Sequence, residues 1–313
     1  MLALLFPGQG SQKVGMGRDV FESSPAAREV FDSADRALGF EISRYCFEGP
    51  EEELRRTEIQ QPALLTTSIA LLSALREADP VEPAFVAGHS LGEYTALVAS
   101  GAIVFEDAVR LVNARGRYMQ EAVAEGTGAM AAILGAGAEE IAKVCTEVSG
   151  QTGQVVSPAN YNSPQQTVIA GESGAVAMAC ARALEAGAKK TVPLPVSAPF
   201  HCALMAPAAA KLRRDIDTVS FQPPSPPVVT NVEALPNADS ARIPDLLEAQ
   251  VTSPVRFTEM IECLKGAGVS HYLEVGAGRV LTGLLARIER RSNRESLSTA
   301  EELENVRKFI AEE

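Results

Sequence analysis

Tryptophan is absent from this chain of 313 residues, histidine occurs three times and cysteine five. The cysteines (Cys46, Cys145, Cys180, Cys202, Cys263) are scattered and odd in number, and none forms a CxxC. That pattern excludes a disulfide framework and a zinc site, and leaves reduced, buried thiols. Positive charge is also scarce. Against 40 Asp and Glu there are 28 Lys and Arg, a net −12. A sequence-independent nucleic-acid binder needs a basic field, and so does a protein that docks on anionic membrane. No apolar run reaches the 18 or so residues of a membrane span. Met1-Leu2-Ala3-Leu4-Leu5-Phe6 is too short for a signal peptide, has no basic start and ends at Pro7-Gly8. A soluble, cytoplasmic protein is expected. What is present, 46% hydrophobic and 22% charged residues, is enough for a sizeable core. At about 150 residues per domain, the length suggests two domains or one with an insertion.

Strands alternate with helices along the chain, which implies an α/β fold whose mainly parallel sheet is covered on both faces. Met1 to Phe6 reads as a buried strand entering a glycine-rich loop. Pro25 opens a helix through about Leu38, Gln61-Pro62 opens another running from Ala63 to Leu75, and Phe105 to Glu125 reads as a long one. Ala84 to Gly88 is a short strand, and Leu91 to Ser100 a helix stopped by Gly101. From Ala129 to Val196 the order is β-α-β-β-α-β, the pattern of a ferredoxin-like unit. The expected division is a discontinuous large catalytic domain, 1–125 and 197–313, with a small ferredoxin-like domain inserted at 126–196. Helices follow at Ala206 to Thr218 and Phe257 to Gly266, and strands at Val228 to Thr230 and His271 to Val275. Ser298 with Glu301 looks like a capping box that starts a C-terminal helix.

Gly88-His89-Ser90-Leu91-Gly92 is a GxSxG lying between a strand and a helix. A turn that sharp needs flanks without Cβ, and it lifts the serine out where backbone N–H groups can meet an oxyanion. The alternative is a tight turn whose serine merely caps the helix. A nucleophilic serine needs a base. His89 adjoins it on a diverging turn, which suits packing. His271 begins an apolar strand. His201, in Ser197-Ala198-Pro199-Phe200-His201-Cys202, lies where the chain leaves the inserted unit, and the pattern favours it over His271. No acid is obviously placed as third member, and a backbone carbonyl can orient an imidazole instead. Arg115 and Arg117 interrupt an amphipathic helix and, taken singly, read as solvated. Gly276-Ala277-Gly278 with Gly283 does not fit GxGxxG and follows the last evident strand, so no cofactor is expected. HExxH and GxxxxGK[ST] are absent, and no metal is expected.

Together these pieces resemble the malonyl-CoA:acyl carrier protein transacylases and the related acyltransferase domains of polyketide synthases, over Met1 to about Arg290. The markers are Phe6-Pro7-Gly8-Gln9-Gly10-Ser11-Gln12, Gln60-Gln61-Pro62, Gly88-His89-Ser90-Leu91-Gly92-Glu93-Tyr94, Arg115-Gly116-Arg117-Tyr118-Met119-Gln120, Asn160-Tyr161-Asn162-Ser163-Pro164, Ala198-Pro199-Phe200-His201, Gln250 to Arg256 and Glu274-Val275-Gly276. The resemblance implies a large α/β-hydrolase-like domain with the ferredoxin-like insertion. It implies Ser90 as the acyl-carrying nucleophile and His201 as general base, oriented by the main-chain carbonyl of Gln250. The N–H groups of Gln9 and Leu91 would form the oxyanion hole, Arg115 would grip the malonyl carboxylate, and Phe200 would be the bulky wall of malonyl-selective members. Ala277 stands where many members have proline, and the acidic tail after about Ser292 carries no family motif.

The implied reaction moves malonyl from malonyl-CoA to the phosphopantetheine thiol of acyl carrier protein by a ping-pong route, for fatty acid synthesis, with the chain acting as a monomer. A stand-alone polyketide-type acyltransferase, a serine thioesterase and a non-catalytic binding module are the rivals. A carrier protein from an acidic family would be repelled by a net −12 enzyme, so docking requires a local basic patch, for which Lys189 and Lys190 are the candidates.

Overall fold

In the computed structural model, which describes residues 1–124, 126–196 and 198–312, two sheets form. The strands in chain order are β1 (Leu2–Phe6), β2 (Phe85–Gly88), β3 (Gly128–Leu134), β4 (Val156–Ser163), β5 (Gln166–Glu172), β6 (Lys190–Pro193), β7 (Val228–Val229), β8 (Pro236–Asn237), β9 (His271–Val275) and β10 (Asn293–Leu297). The larger sheet has the order β10-β9-β1-β2-β7-β8. All its pairings are parallel except β7–β8.

β1 explains why this sheet is central. All five of its residues are buried. Leu2, Leu4 and Phe6 face one core with Leu64 and Ala96, while Ala3 and Leu5 face another with Phe257, Ile261 and Leu285. A strand covered on both faces needs an unbroken apolar run, and LALLF supplies it.

The smaller sheet has the order β4-β5-β3-β6 with every pair antiparallel, the arrangement expected of a β-α-β-β-α-β unit. Its strands alternate. Ala131, Ile133 and Ile169 pack under the helices Ala138–Thr152 and Ser173–Glu185. Met130, Ala132, Val168 and Ala170 turn the other way into the main core. Beyond side chains, the Tyr161 N–H donates to Val255 O at 2.9 Å and the Val255 N–H to Ala159 O at 2.9 Å, tying β4 to the loop that follows Gln250.

The structure corrects several boundaries. The helix expected from Gln61-Pro62 starts earlier and spans Thr57–Ala78, with Pro62 inside. Proline has no N–H for the Glu58 carbonyl, and Asn113 Nδ2 donates to that oxygen instead at 2.8 Å. The helix expected to reach Glu125 is Phe105–Glu121, followed by a turn in which the Thr127 N–H meets Ala124 O at 3.1 Å. Glu125 and Ser197 lie outside the described residues. β9 is not the last strand: β10 lies parallel beside it, so the tail after Ser292 completes the sheet. The capping box belongs to Thr299 and Glu302 rather than Ser298 and Glu301, because the Glu302 carboxylate takes the N–H groups of both Ser298 and Thr299. Val306 of the final helix, Leu303–Ala311, is fully buried. Among the described residues no helix is long and apolar enough to cross a membrane.

Candidate active site

β1 and β2 run side by side with Phe6 opposite Gly88, so the loop after β1 and the turn after β2 emerge together. A Cβ on Gly88 would lie 2.0 Å from the main chain of Gly92, and one on Gly92 would lie 2.0 Å from Phe6 O. Gly8 likewise approaches His89 O. The two glycines of GxSxG are therefore required by backbone contact. Ser90 at the tip has φ 53° and ψ −104°, a strained setting for a residue with a side chain. The helix Leu91–Ala99 starts directly behind it.

His201 reaches this tip from the segment between the sheets, itself at φ 61°. Its Nε2 is 2.7 Å from Ser90 Oγ, and its Nδ1 is 2.9 Å from Gln250 O. Since a carbonyl only accepts, Nδ1 carries the proton and Nε2 is free to accept one. Burial, joined by the Arg115 charge, pushes His201 down to about 3, so the ring is neutral at physiological pH. His89 turns away and pairs through Nε2 with Asn162 Oδ1 at 2.8 Å. His271 sits at the opposite, N-terminal end of its strand, against Ser270, Asn293 and the Phe309 ring.

Arg115 is fully buried, whereas Arg117 is exposed, so the solvated reading holds for only one of the pair. Gly116 between them lets the helices touch, since a Cβ there would lie 2.5 Å from Thr57 O. Arg115 Nη1 donates to Gln61 Oε1 at 2.8 Å, and Nη2 to Ser90 Oγ at 3.1 Å and Gln250 Oε1 at 3.0 Å. The guanidinium lies 5.3 Å from the Tyr94 ring centre, and among the described residues its buried Nε has no hydrogen-bond partner. Among the described residues no carboxylate ion-pairs with it. Burial pulls its affinity for the proton below the usual arginine range. A buried cation whose partners are an alcohol and two amides is poised to take up an anion.

The N–H groups of Gln9 and Leu91 donate to nothing among the described residues. Phe200 is buried directly before His201. Lys189 and Lys190 are exposed on the edge of the smaller sheet, where Lys190 is in register with Leu134, and they make no contact with the Ser90 cluster.

Three participants carried no role in the sequence reading. Asn231 accepts the Ser90 N–H at 2.6 Å and donates to Gly88 O at 2.7 Å. Glu93 accepts from Gln250 Nε2 at 2.6 Å and from the Asn231 N–H at 3.1 Å. Burial raises Glu93 to about 7, against the opposing pull of those two donors and of Arg115. Gln61 is the third. The available signal for Asn231 was its place just past β7, at the end of a parallel strand where α/β sheets gather their sites.

Residues 3–300 match the acyl transferase domain family. The malonyl CoA-acyl carrier protein transacylase of Escherichia coli K12 is 51% identical over 286 residues, covering 91% of this chain and 92% of that protein. That of Bacillus subtilis 168 is 47% identical over 312 residues, covering 100% and 98%. The solved transacylase from Coxiella burnetii superposes with a TM-score of 0.96 at 42% identity, covering 99% of this chain and 97% of that one. A malonyl-transacylase solved in complex with a type II polyketide acyl-carrier protein superposes with a TM-score of 0.94 at 45% identity, covering 97% and 98%. An elbow serine, a carbonyl-oriented histidine and a buried arginine thus occur together in a chain that belongs to the acyl transferase domain family, among the malonyl CoA-acyl carrier protein transacylases.

Proposed function

We propose that the protein transfers the malonyl group from malonyl-CoA to the phosphopantetheine thiol of acyl carrier protein. The observation that carries this reading is Arg115, a buried cation 3.1 Å from Ser90 Oγ without a carboxylate partner. His201 Nε2 takes the Ser90 proton as Oγ attacks the thioester carbonyl, and the N–H groups of Gln9 and Leu91 hold the oxyanion. The C–S bond then breaks, and coenzyme A leaves with the proton from His201, giving malonyl-Ser90. The carrier thiol enters, gives its proton to His201, attacks the ester carbonyl and leaves as the malonyl thioester, returning the proton to Ser90.

Arg115 acts twice in this scheme. Its guanidinium pairs with the substrate carboxylate, which an acetyl group lacks. Burial and, after it, the Arg115 charge depress His201, and pairing with the substrate carboxylate offsets the second of these. Phe200 closes the site beside the histidine. Lys189 and Lys190, which make no ion pair among the described residues, are the proposed contacts for an acidic carrier protein. The roles divide between a large catalytic domain, 1–125 and 197–313, and a small one, 126–196. Two discrete sheets and the return of the chain to the main sheet at β7 support that division. Five free cysteines suit a reducing, cytoplasmic setting. The relatives' names support fatty acid synthesis as the pathway.

The test is mass spectrometry of the enzyme mixed with malonyl-CoA alone. A malonyl adduct on wild type that is absent from Ser90→Ala is expected. In Arg115→Ala, the preference for malonyl over acetyl should drop by at least about 100-fold. Rapid hydrolysis of the adduct without carrier protein would indicate a thioesterase. An unchanged preference would remove Arg115 from substrate recognition.

A further inference from the structure

Glu93 is buried behind the elbow, facing neither His201 nor Ser90 Oγ in any hydrogen bond. One of its oxygens, Oε2, nevertheless joins both halves of the site. On one side it accepts from Gln250 Nε2, which also donates to Ser90 O at 3.0 Å. The other end of that amide, Oε1, accepts from Arg115. Ser90 O can only accept and Arg115 can only donate, so the amide has one permitted orientation, with its NH2 toward Glu93. Reversed, it would set oxygen against oxygen and NH2 against guanidinium. On the other side Oε2 takes the Asn231 N–H, and the Asn231 side chain holds the Ser90 N–H and Gly88 O. That grip spans the strained residue at the tip.

We propose that Glu93 is a positioning residue for acyl transfer: its carboxylate oxygen fixes the Gln250 amide and the Asn231 main chain, and through them aims Arg115 and holds the Ser90 turn. The inference rests on the transacylase reading and assigns a role inside that site. What matters is an acceptor at this point, not the charge itself. A glutamine can place its oxygen there. Glu93 also borders a small void whose lining includes the polar Thr230 and Asn237 among apolar side chains. An aspartate keeps the charge but withdraws the acceptor by one methylene.

The experiment compares Glu93→Gln, Glu93→Asp and Glu93→Ala by three readouts, with thermal melts to establish folding. The readouts are kcat and KM with malonyl-CoA and carrier protein, the malonyl-to-acetyl preference, and the rate at which an uncharged fluorophosphonate labels Ser90. Glu93→Ala should lower kcat by at least about 100-fold with a smaller change in KM, lower the preference by at least about tenfold, and slow labelling by about tenfold or more. Glu93→Gln should recover each to within about tenfold of wild type, above Glu93→Asp. A merely structural glutamate would lower the melting temperature and leave the preference of the folded fraction unchanged. Folded Glu93→Ala with wild-type kcat and preference overturns the proposal. So does Glu93→Asp surpassing Glu93→Gln, an order that decides the matter even if Glu93→Ala does not fold. Wild type that is labelled by fluorophosphonate but moves no malonyl group would sink the transacylase reading alone, since labelling reports on Glu93 without any acyl donor.

Discussion

The turns after β2 and β9 are built alike and used differently. Each follows a buried parallel strand, contains glycines, leads into a nine-residue helix and has a buried glutamate close by. After β9, Glu274 turns its carboxylate onto the next helix, Val280–Ile288. Oε1 accepts the Leu281 N–H at 2.9 Å, and Oε2 accepts the Thr282 N–H at 2.6 Å. That helix start is filled by the protein's own anion. After β2, Glu93 lies in the first turn of the helix but accepts from Gln250 and Asn231, leaving the Leu91 N–H open beside Ser90. A glycine-rich strand-to-helix turn becomes a site only when its donors are left unspent.

The contrast can be broken at three points. The largest effect is expected from Gly92→Ala, whose Cβ would sit 2.0 Å from Phe6 O. It should destabilise the protein by more than about 4 kcal/mol, seen as insoluble expression or a lost unfolding transition. Glu274→Ala is expected to cost about 2–4 kcal/mol by denaturant titration, because it unpairs the buried Leu281 N–H and the half-buried N–H and O–H of Thr282. In folded enzyme its kcat should stay within about threefold of wild type. A much larger kcat loss would mean that the β9 turn also serves the reaction. The smallest effect is a slope. His201 binds its proton at about 3 in the folded state against an ordinary 6.5, so its contribution to stability is lost as pH falls from 6.5 toward 3. Glu93 titrates at about 7 against an ordinary 4.5, so the cost of its burial grows as pH rises from 4.5 toward 7. Between 4.5 and 6.5 the two oppose one another. Glu93→Gln removes one, and its stability should climb more steeply with pH than wild type, by up to about 1.4 kcal/mol per unit. Equal slopes would place the raised carboxyl elsewhere.

Local rules made the elbow legible. Gly88, Ser90 and Gly92 stand next to one another in sequence, and the constraint on them is a backbone contact that short spacing reveals. The sequence favours His201 over His271 because it follows a strand in a connecting segment, and the structure puts it on Ser90 Oγ. The β-α-β-β-α-β order likewise translated into the smaller sheet, since alternation and turns are local. β10 escaped notice because Asn-Arg-Glu-Ser-Leu is polar, as an edge strand covered by only one neighbour can be. The start of the helix Thr57–Ala78 escaped because the group that rescues Pro62 is Asn113, 55 residues from the carbonyl it satisfies. Asn231 and Glu93 escaped for the same reason. Their partners lie 138 to 157 residues apart in the chain, and an amide or carboxylate does not advertise what it will hold.

The burial of Arg115 also ties the stability of the fold to whatever anion binds there. Among the described residues Arg115 Nε has no hydrogen-bond partner and the guanidinium is desolvated, so a carboxylate bound against it would relieve both. Binding to the native state alone raises stability by RT ln(1 + [L]/Kd), about 2.7 kcal/mol at a hundredfold excess over Kd. The resistance of the enzyme to heat and proteolysis is then expected to rise with an acyl donor that carries a carboxylate, and less with one that lacks it.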